Sequence, residues 1–566
     1  MNVSEMIATR SEVAAGRGVV ACGHPLEVEA GIAALRAGGN AIDATVAAAF
    51  AGFVVEPASC GLGGYGRLAI RLGDSGRFVT IDHYARAPAA ARPDMFAVDP
   101  ARPMKYYGFP HTVGMRAEMG VRAAAVPGAV AGLCAAQEMF GRLKLAKVLE
   151  PAIGYAEAGV AVDWLLQLTI GARLADIRRH KPAADLLLRA GAPPTAAGPL
   201  GPGERLDTAA LAATLKRIAA HGPAGFHDGP VADAIARACS GGILSADDLR
   251  AYRPRILAEQ PTPYRDYRVV TAWDQVGIEA LNVLSAFDLE ALGRDGVGFR
   301  HVMAEALACA FIDNMTHYGD PDHERSPVEG LASPSFGRAR ASAIRMDQAL
   351  PRPVEPADPW PFQDDALKPA RLPERPSAAG LAGTSQMAAA DREGNITSLI
   401  TSLSSSFGSL VYVPEIGVML NNAMQNFDPR PGTMNCIRPG KMPIFAAPAL
   451  VAAGDGRTAF GACGSGGYRI ETGVLHAFVH AVDFGCTVQA AVDAPRVHCQ
   501  GEDTFVDARI PIEVRDRLAA MGHKIVVQRD LPGVNCFGRV CAVAIAADGT
   551  LRAGTGPAWN TAAGGY

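Results

Sequence analysis

The chain has 566 residues, of which 49% are hydrophobic and 19% are charged, and its formal net charge is −4. This composition is typical of a globular protein with a large core, and it excludes a disordered chain. Lysines and arginines are scattered, and their densest cluster, at 178–181, is short, so the charge pattern indicates neither a nucleic-acid nor a membrane partner.

The length, the cysteines and the apolar runs of the chain further restrict the class of protein. A chain of this length forms two to four domains or one large α/β unit. Its eleven cysteines are spread out without a CxxC motif, which indicates reduced, buried thiols. Because HExxH and zinc-finger spacings are absent, we expect no metal and no other cofactor. The N-terminus lacks a signal-peptide core and the longest apolar run, at 44–55, is too short to cross a bilayer, so we expect a cytoplasmic location.

The first elements in chain order are two predicted helices within residues 25–55. Pro25 suits a helix start, and the glycine pair at 38–39 ends that helix. Asn40 is a predicted N-cap for the second helix, with Asp43 in its first turn. The following "GLGGYG", at 61–66, matches a dinucleotide-binding pattern, but it follows a helix and precedes an alternating strand. We therefore interpret it as a glycine turn that allows close backbone packing.

The rest of the chain divides into a helical part, a linker and a strand-rich part. A hairpin is predicted around "GDSG", residues 125–350 are mostly helical in pattern, and the Pro-rich segment 350–383 is a predicted flexible linker. After it, "TSQMAAADREGNITSLITSL" is a predicted hairpin, as are "PALVAAGDGRTAFGACG" and "VCAVAIAADGTLRAG", with helices between them. The predicted fold class is α+β, with stacked, mainly antiparallel sheets covered by helices.

Thr384 lies at the junction between the predicted linker and the first strand of the strand-rich part. A threonine hydroxyl needs a base to become a nucleophile, and the chain has no GxSxG motif and no informative histidine spacing. Cleavage just before Thr384 would place an α-amine, whose ordinary pKa is about 8, on the nucleophile itself. Gly383 has no side chain and is expected to take a strained backbone geometry before such a cleavage. The alternative reading is an ordinary strand start.

Several ordered motifs carry a resemblance to a known family. They are "EAGIAALRAGGNAIDATVAAAF", "CGLGGYG", "AAAVPGAVAGL", "ILSADDLRAYRP", "TSQMAAADREGNITSLITSLSSSFGS", "GVMLNNAMQNFDPRPG", "GSGGYRIETGV", "DAPRVH" and "TAAGGY". Together they span nearly the whole chain, which resembles the γ-glutamyltransferases (glutathione hydrolases), a family of N-terminal-nucleophile hydrolases. The resemblance implies a four-layer αββα fold with two stacked sheets between helical layers.

The resemblance also implies processing and a set of catalytic residues. A single precursor would cut itself between Gly383 and Thr384 into a large subunit, 1–383, and a small subunit, 384–566, which form one intertwined unit. Thr384 would form an acyl-enzyme, and Ser402 matches the family's hydroxyl that hydrogen-bonds the nucleophile. Gly466 and Gly467 match the paired glycines of its oxyanion hole, where glycine lets the main chain approach the developing charge.

The substrate-binding positions depart from the family pattern. The implied substrate contacts are Tyr84, Arg86, Ser404, Gln425, Asn426 and Phe445. Tyr84 stands where the family has an arginine for the α-carboxylate of glutamate, and Arg86 is the nearest arginine. Asn426 replaces an aspartate that pairs with the α-amine, which removes a charge-assisted contact. "PIFAAP" replaces a serine pair, so that Phe445 brings an apolar ring without a hydroxyl, and Gln386 replaces a histidine.

The sequence therefore predicts an autoprocessed threonine amidohydrolase that acts on a γ-glutamyl or related small acyl amide. An alternative is a non-glutamyl amidase or acylase, similar to the cephalosporin acylases and oxamate amidohydrolases of the superfamily. A third reading, an uncleaved inactive scaffold, is disfavoured by the intact Gly383–Thr384 pair. The expected partners are the small-molecule amide and the two subunits of one precursor, with no nucleic acid and no membrane. Transfer versus hydrolysis and a higher oligomer stay open.

Overall fold

Two stacked seven-stranded sheets form the centre of the computed structural model, which describes residues 9–102, 109–198, 201–272, 274–363, 383–444, 448–530, 535–557 and 559–566. The sheet that contains Thr384 is called the nucleophile sheet. Its strands, in spatial order, are Ala562–Gly565, Gly18–Cys22, Gly383–Asp391, Ile396–Ser404, Tyr65–Arg71, Phe78–His83 and Arg255–Glu259. All neighbouring strands in it are antiparallel.

The second sheet packs against one face of the nucleophile sheet and is also antiparallel throughout. Its strands, in spatial order, are Val13–Ala15, Leu551–Thr555, Arg539–Ile545, Ala459–Ser465, Leu450–Ala453, Tyr267–Val270 and Thr262–Tyr264. The two sheets approach closely, because the Ser398 hydroxyl donates to the Ala462 carbonyl across the interface at 2.7 Å. Each sheet combines strands from both sides of residue 383, so the two parts of the chain are interleaved.

Helices cover the outer faces of both sheets. The helices that share a core with the outer face of the nucleophile sheet are Pro25–Arg36, Ala41–Val55, Ala129–Phe140, Leu145–Ala158, Trp164–Ala172, Leu174–Ile177, Lys181–Leu187, Ala209–His221, Ala224–His227, Gly229–Ala238 and Ala246–Ala251. On the other side lie Gln275–Leu284, Leu289–Leu292, Val297–His317, Val328–Ala332, Pro334–Ser342, Arg469–Val482, Val488–Asp493 and Ile512–Ala520. The layers are helix, sheet, sheet and helix, which confirms the predicted α+β class and its αββα arrangement.

Small strands and short helices complete the fold. A three-stranded sheet consists of Val497–Cys499, Asp503–Asp507 and Lys524–Gln528, and two-stranded pairs join Tyr412–Val413 with Val418–Met419 and Val160–Ala161 with Arg205–Leu206. Single 3₁₀ turns are formed by Val113–Met115, Trp360–Phe362 and Ala423–Asn426. None of the helices in the described ranges combines the length and apolarity needed to cross a bilayer. All eleven cysteines are free thiols, nine of them buried, as predicted.

The local signals of the first two helices are confirmed. Pro25 is the first residue of Pro25–Arg36. Asn40 caps Ala41–Val55 by accepting from the N–H groups of Ile42 and Asp43, while the Asp43 carboxylate accepts from the Asn40 N–H. This reciprocal capping box satisfies donors that the helix itself cannot pair. The second helix is buried along its whole length, as its broad apolar surface predicted.

The "GLGGYG" glycines pack against backbone, as predicted. A methyl group built on Gly64 would lie 2.6 Å from the Ser402 carbonyl oxygen, and one on Gly66 would lie 2.1 Å from the Ile400 carbonyl oxygen. Real side chains do not tolerate such distances, so the neighbouring strand can reach this position only because the residues are glycine. The motif fixes the path of the strand that carries Ser402.

The predicted hairpins are confirmed, but three strands at or next to a sheet edge were not predicted. Arg255–Glu259, Thr262–Tyr264 and Tyr267–Val270 lie within the stretch that was expected to be mostly helical; the first two are edge strands, one in each sheet, and the third pairs with Thr262–Tyr264. Arg255–Glu259 alternates between half-buried and exposed residues, but its sequence RILAE does not alternate between apolar and polar residues. Such short, half-exposed strands carry a weak sequence signal.

The first part of the predicted linker is packed onto the body of the protein. Val354 and Trp360 are buried, and Arg352 forms an ion pair with the buried Glu305 at 2.6 Å. Residues 351–363 therefore differ from the flexible linker that the prolines predicted. Proline restricts the backbone without preventing burial of the residues between prolines. Residues 364–382 lie outside the described ranges.

Candidate active site

Thr384 and Ser402 lie opposite each other on paired strands at one end of the nucleophile sheet. Their side-chain oxygens are 3.1 Å apart, and both side chains are buried. Beyond this pair the register shifts, so that Gly383 lies opposite Ser404 and the scissile peptide sits at a β-bulge. Bulges re-aim side chains at functional sites, and here the irregularity coincides with the predicted cleavage point.

The other hydrogen bonds of Ser402 show which hydroxyl is the donor in its contact with Thr384. The Ser402 hydroxyl donates to the Gly383 carbonyl oxygen at 2.7 Å and accepts from the Ser404 N–H at 2.8 Å. A hydroxyl has one proton to donate, so the Thr384 hydroxyl is the donor in its contact with Ser402. Ser402 thus polarises the carbonyl that lies next to the Thr384 hydroxyl. This arrangement suits attack of Thr384 Oγ1 on the Gly383 carbonyl carbon.

Gly383 is needed for space and not for an unusual backbone angle. A methyl group on Gly383 would lie 2.8 Å from the Ser406 nitrogen and 3.0 Å from the Ala58 carbonyl oxygen. Its φ is not in the left-handed region, and strain at Gly383 before cleavage stays a prediction. The strained residue is Ser404, whose φ of 80° is rare for a residue with a side chain.

The predicted substrate contacts Ser404, Gln425 and Asn426 form a buried group that we call the polar pocket, together with the two rings of Tyr65 and Tyr84. The Ser404 hydroxyl donates to Asn426 Oδ1 at 3.0 Å, and Asn426 Nδ2 donates to the Tyr65 hydroxyl at 3.1 Å. Gln425 Nε2 donates to the Ser404 hydroxyl at 3.0 Å, and the Tyr65 and Tyr84 rings are 4.5 Å apart. Burial raises the pKa of Tyr65, which keeps its hydroxyl protonated. Tyr65 belongs to the "CGLGGYG" motif, but the sequence analysis did not identify it as a site residue.

Arg86 belongs to an ion-pair network. Its guanidinium lies 3.3 Å from an Asp82 oxygen and 3.5 Å from an Asp320 oxygen, and Arg255 contacts the same two carboxylates. These carboxylates engage the Arg86 charge, and its role as a receptor for a substrate carboxylate stays a prediction. Phe445 is another predicted substrate contact in a motif that departs from the family pattern. It lies outside the described residues.

Gly466 and Gly467 precede the helix Arg469–Val482 and have φ values of 130° and 63°. Both angles lie in the region that favours glycine, and a methyl group on Gly466 would lie 2.4 Å from Asn535 Nδ2. Gly466 lines the same cleft as Gly383. Two main-chain N–H groups at a helix start suit stabilisation of an oxyanion, which is the predicted role.

Arg539 is a site residue that the sequence analysis did not identify. Its Nη2 donates to the Thr384 carbonyl oxygen at 2.6 Å, and its Nε donates to the Ser465 hydroxyl at 2.5 Å. Its guanidinium also lies 3.8 Å from a Glu56 oxygen and 4.5 Å from the centre of the Trp559 ring. The guanidinium therefore ties the nucleophile residue to the second sheet. Arg539 is brought to this position by its pairing with Ser465 in the second sheet.

Two buried carboxylates lie behind the nucleophile strand. The Ser385 hydroxyl donates to Glu56, and its oxygen lies 3.5 Å from a Glu27 oxygen. Burial and then the adjacent Glu56 carboxylate raise the pKa of Glu27 well above its ordinary value. Glu27 also accepts from the His24 N–H as part of a helix capping box. This capping pattern is the feature of the sequence that could have identified Glu27.

A cleft opens to solvent beside the scissile peptide, and we call it the open cleft. Its volume is about 980 Å³, including the part open to solvent. Gly383, Gly466 and Arg539 line it on the side of the nucleophile, and Leu165, Leu168 and Trp559 are among its outer residues. The part of the cleft that a water-sized molecule can reach is about 130 Å³.

One buried cluster has residue types that bind metals. Ligand atoms of His301, Glu305 and His523 all lie within 4.8 Å of one another. However, Arg352 donates to both oxygens of Glu305, and the two histidines hydrogen-bond each other at 2.8 Å. Burial lowers the pKa of His523 to about 3, so that ring is neutral. A guanidinium paired with Glu305 opposes a cation, and the cluster is consistent with a structural network.

Comparisons with known proteins agree with this geometry. Residues 28–566 match the family model described as Gamma-glutamyltranspeptidase. The chain is 36% identical to the acylase ACY 1 proenzyme of Pseudomonas sp. (strain V22), with 97% of this chain and 93% of the relative covered. It is 30% identical to the glutathione hydrolase proenzyme of Bacillus subtilis (strain 168), with 90% and 85% covered.

Among solved structures, the chain is similar to the cephalosporin acylase from Bacillus halodurans. The TM-score is 0.84 at 29% sequence identity, and the alignment covers 100% of this chain and 99% of the other. Similarity over the whole length of both proteins extends to both sheets and to both helical layers.

Proposed function

The chain belongs to the gamma-glutamyltranspeptidase family of N-terminal-nucleophile hydrolases, and on this premise we propose that it is a precursor that cuts itself between Gly383 and Thr384. The Thr384 hydroxyl attacks the Gly383 carbonyl, the C–N bond breaks to give an ester, and water hydrolyses the ester. The products are a large subunit that ends in a carboxylate and a small subunit that begins with the Thr384 α-amine. The observation that supports this step most directly is the Ser402 hydroxyl, which donates to the Gly383 carbonyl and accepts from Thr384.

The mature enzyme then hydrolyses a γ-glutamyl or related small acyl amide through an acyl-enzyme. The Thr384 α-amine takes the hydroxyl proton, Thr384 Oγ1 bonds to the acyl carbon, and the amine leaves with a proton. The N–H groups of Gly466 and Gly467 stabilise the developing oxyanion, and Ser402 orients the nucleophile. Water then attacks the ester and releases the acyl group as a carboxylic acid.

A denaturing gel of purified protein tests this proposal first. Dividing the 58.9 kDa chain in the ratio of its 383 and 183 residues gives bands of about 40 and about 19 kDa. Thr384→Ala should give one full-length band and no amide turnover, while Thr384→Ser keeps a hydroxyl and should still process. A single full-length band in aged wild-type protein, or normal turnover in Thr384→Ala, contradicts the proposal.

A narrower candidate, a non-glutamyl amidase or acylase, is favoured by Asn426. Its oxygen and nitrogen are both bonded within the polar pocket, and its neutral amide provides no negative charge for the α-ammonium of a glutamyl group. The acylase and cephalosporin acylase relatives give this candidate further support.

Matched p-nitroanilides separate the two candidates, because glutaryl-p-nitroanilide lacks only the α-amine of γ-glutamyl-p-nitroanilide. We expect the glutaryl compound to be turned over at least as well, and Asn426→Asp to raise γ-glutamyl turnover relative to glutaryl. A strong preference of the wild type for the γ-glutamyl compound would favour the broader assignment.

A further inference from the structure

Arg539 contacts Thr384 on the side of the residue that cleavage leaves intact. Its Nη2 donates to the Thr384 carbonyl oxygen at 2.6 Å, whereas the bond that breaks joins Gly383 to the Thr384 nitrogen. Both residues belong to the small subunit, and Arg539 is held by its strand, in which it pairs with Ser465. The contact does not depend on the broken bond, so we expect it to persist when the Thr384 nitrogen becomes an α-amine.

The Arg539 guanidinium lies close to that nitrogen. Within one residue, bond lengths and angles keep the nitrogen and the carbonyl oxygen about 2.7–3.6 Å apart. Arg539 Nη2 therefore lies at most about 6 Å from the Thr384 nitrogen that becomes the α-amine. A positive charge at such a distance disfavours the ammonium form of an amine.

The charge of Arg539 is buried and only loosely paired. Its side chain is nearly inaccessible, so water and salt screen the charge little. Nε donates to the Ser465 hydroxyl, but among the described residues Nη1 has no hydrogen-bond partner. A Glu56 carboxylate oxygen lies 3.8 Å from Nη1, which is too long for a hydrogen bond. Part of the guanidinium charge is therefore left to act on the α-amine.

Two carboxyl groups, those of Glu56 and Glu27, oppose Arg539. The Ser385 hydroxyl donates to Glu56, and its oxygen lies 3.5 Å from a Glu27 oxygen, so both groups lie beside the residue that follows Thr384. Negative charge at this position favours the ammonium form of the α-amine. Burial and the adjacent Glu56 carboxylate raise the pKa of Glu27 well above its ordinary value, which opposes a second negative charge on the pair.

Other ionisable groups around the site, within the described ranges, are neutral or engaged with protein partners. Burial raises the pKa values of the Tyr65 hydroxyl and of the Cys22, Cys60 and Cys541 thiols, so these groups are uncharged near pH 7. The remaining side chains and their partners are Asp163 with Asn560 and the Leu166 N–H, His24 at 3.9 Å from Asp163, Arg173 with Asp176, and Arg469 with the Phe505 ring. Arg539, Glu56 and Glu27 therefore supply the main unbalanced charges next to Thr384.

The base of the proposed reaction benefits from a nearby cation. An α-amine with its ordinary pKa of about 8 is mostly ammonium at pH 7, and only about a tenth is in the neutral form that accepts a proton. At about 6 Å and an effective dielectric constant of about 20, one unit charge lowers the pKa of an amine by about 2. The opposing carboxylate reduces this effect, and we expect a net lowering of about 1, which leaves roughly half of the α-amine neutral at pH 7.

We propose that Arg539 is a positioning residue whose charge holds the α-amine of processed Thr384 in its neutral, base-competent form, and that Glu56 limits this effect. This inference rests on the proposed function, since it takes the Thr384 α-amine as the base. It assigns Arg539 an electrostatic role in addition to its hydrogen bond to the Thr384 carbonyl.

The pH dependence of kcat/KM in processed protein tests the proposal, because its acidic limb reports the pKa of the base in the free enzyme. In Arg539→Met the ammonium form is no longer opposed, so the limb should move up by about 1 pH unit. Arg539→Lys keeps the charge and should keep the limb within about 0.3 pH units of the wild type, although kcat falls.

A variant of the opposing carboxyl groups should shift the limb in the other direction. Glu27→Gln and Glu56→Gln are combined, so that neither carboxylate can take up the charge that the other loses. The limb should then move down by about 1 pH unit, because Arg539 is left without opposing charge. Arg552→Met is the control, since Arg552 pairs with Glu12 in the second sheet, and its limb should match the wild type.

Carbamylation by cyanate provides a readout other than turnover. Cyanate reacts with the neutral form of an amine, so the rate at the N-terminal peptide of the small subunit follows the fraction of neutral α-amine. Mass spectrometry of this peptide at several pH values should show the same upward shift in Arg539→Met and the same downward shift in the double variant.

Two results would overturn the electrostatic role of Arg539. One is a wild-type acidic limb in Arg539→Met, and the other is an equal displacement in Arg539→Met and Arg539→Lys, which would mean that geometry and not charge moves the limb. If Arg539→Met accumulates as the precursor, the double variant decides, and an unmoved limb there refutes the role. Normal turnover by Thr384→Ala would instead refute the proposed function itself, so the two failures are distinguishable.

Discussion

At the scale of single residues, the site depends on a few hydrogen bonds. Their directions follow because each hydroxyl has only one proton to donate. Ser402 accepts from the Ser404 N–H and from Thr384, and donates to Gly383. Ser402 and Gly383 therefore each make specific contacts. We expect substitutions at such positions to have separate effects on processing, turnover and stability.

The Ser402 hydroxyl should matter most for processing. In Ser402→Ala the Gly383 carbonyl loses its donor, so processing should slow roughly 10²–10³-fold, the usual cost of one oxyanion-hole donor. The half-time for appearance of the small-subunit band measures this effect. Ser398→Ala is a control on the same strand, because its hydroxyl bonds Ala462 away from the cleavage point. Equal half-times for both variants would refute the role of Ser402.

Arg539 should act as a positioning residue for Thr384. Arg539→Met removes the donor to the Thr384 carbonyl and leaves Glu56 without its cation, so kcat should fall about 10- to 100-fold, with KM changed less. Arg539→Lys restores a charge but not the forked geometry and should recover only part of the activity. Steady-state kinetics on processed protein measure the split. Arg552→Met, whose partner Glu12 is far from Thr384 in the second sheet, should leave kcat unchanged.

The raised pKa of Glu27 predicts a pH dependence of stability. Between its ordinary value of 4.5 and its folded value, Glu27 keeps a proton that the unfolded chain has lost. Stability should therefore fall as the pH rises above about 4.5, by at most about 1.4 kcal/mol per pH unit. Glu27→Gln needs no proton, so its unfolding free energy should decline less than that of the wild type between about pH 5 and pH 8. Chemical denaturation at several pH values tests this, and Glu29→Gln, at an exposed position of the same helix, should behave like the wild type.

At the scale of elements, the alternation of the strand Gly383–Asp391 directs its side chains to two different layers. Ser385 and Met387 face the helices, where the carboxylates of Glu27 and Glu56 lie. Gln386 and Ala388 face the second sheet. Thr384 is two residues before Gln386, so alternation places it on the same face of the strand.

Close packing between elements makes Gly64 a sensitive position. Because a methyl group there would lie 2.6 Å from the Ser402 carbonyl oxygen, Gly64→Ala should displace the strand of Ser402. We expect slower processing and a loss of about 1–3 kcal/mol in unfolding free energy, as for overpacking in a core. In contrast, Gly154→Ala on the helix Leu145–Ala158, where no atom lies within 4 Å, should stabilise the protein by about 0.5–1 kcal/mol. Similar behaviour of the two variants in denaturation and processing assays would contradict this account.

At the scale of the whole molecule, both sheets contain strands from each side of residue 383. Gly383–Asp391 pairs with Gly18–Cys22, and Leu551–Thr555 pairs with Val13–Ala15, so strands of the two parts are hydrogen-bonded to each other within each sheet. Cutting one peptide bond leaves these ladders and the core between the sheets intact.

Processing should therefore not separate the two subunits. We expect the processed protein to elute from a sizing column under native conditions at the same position as Thr384→Ala, and to separate into two chains only in denaturant. The physical reason is that separation would expose both sheets, whose facing surfaces are apolar. Elution of a free small subunit under native conditions would contradict the interleaved assembly.

Local sequence patterns predicted the helix caps, the hairpins and the α+β class, and the family resemblance predicted that Thr384 is the nucleophile. These features depend on residues that are close in the chain or on motifs of fixed spacing, so local patterns are sufficient to predict them. Tertiary structure alone decided that Arg539 contacts Thr384, that Arg86 is engaged by Asp82 and Asp320, and that an apolar cleft opens beside Gly383. Such contacts join residues that are far apart in the chain, and they depend on strand register and on how the two sheets stack, which no local pattern encodes.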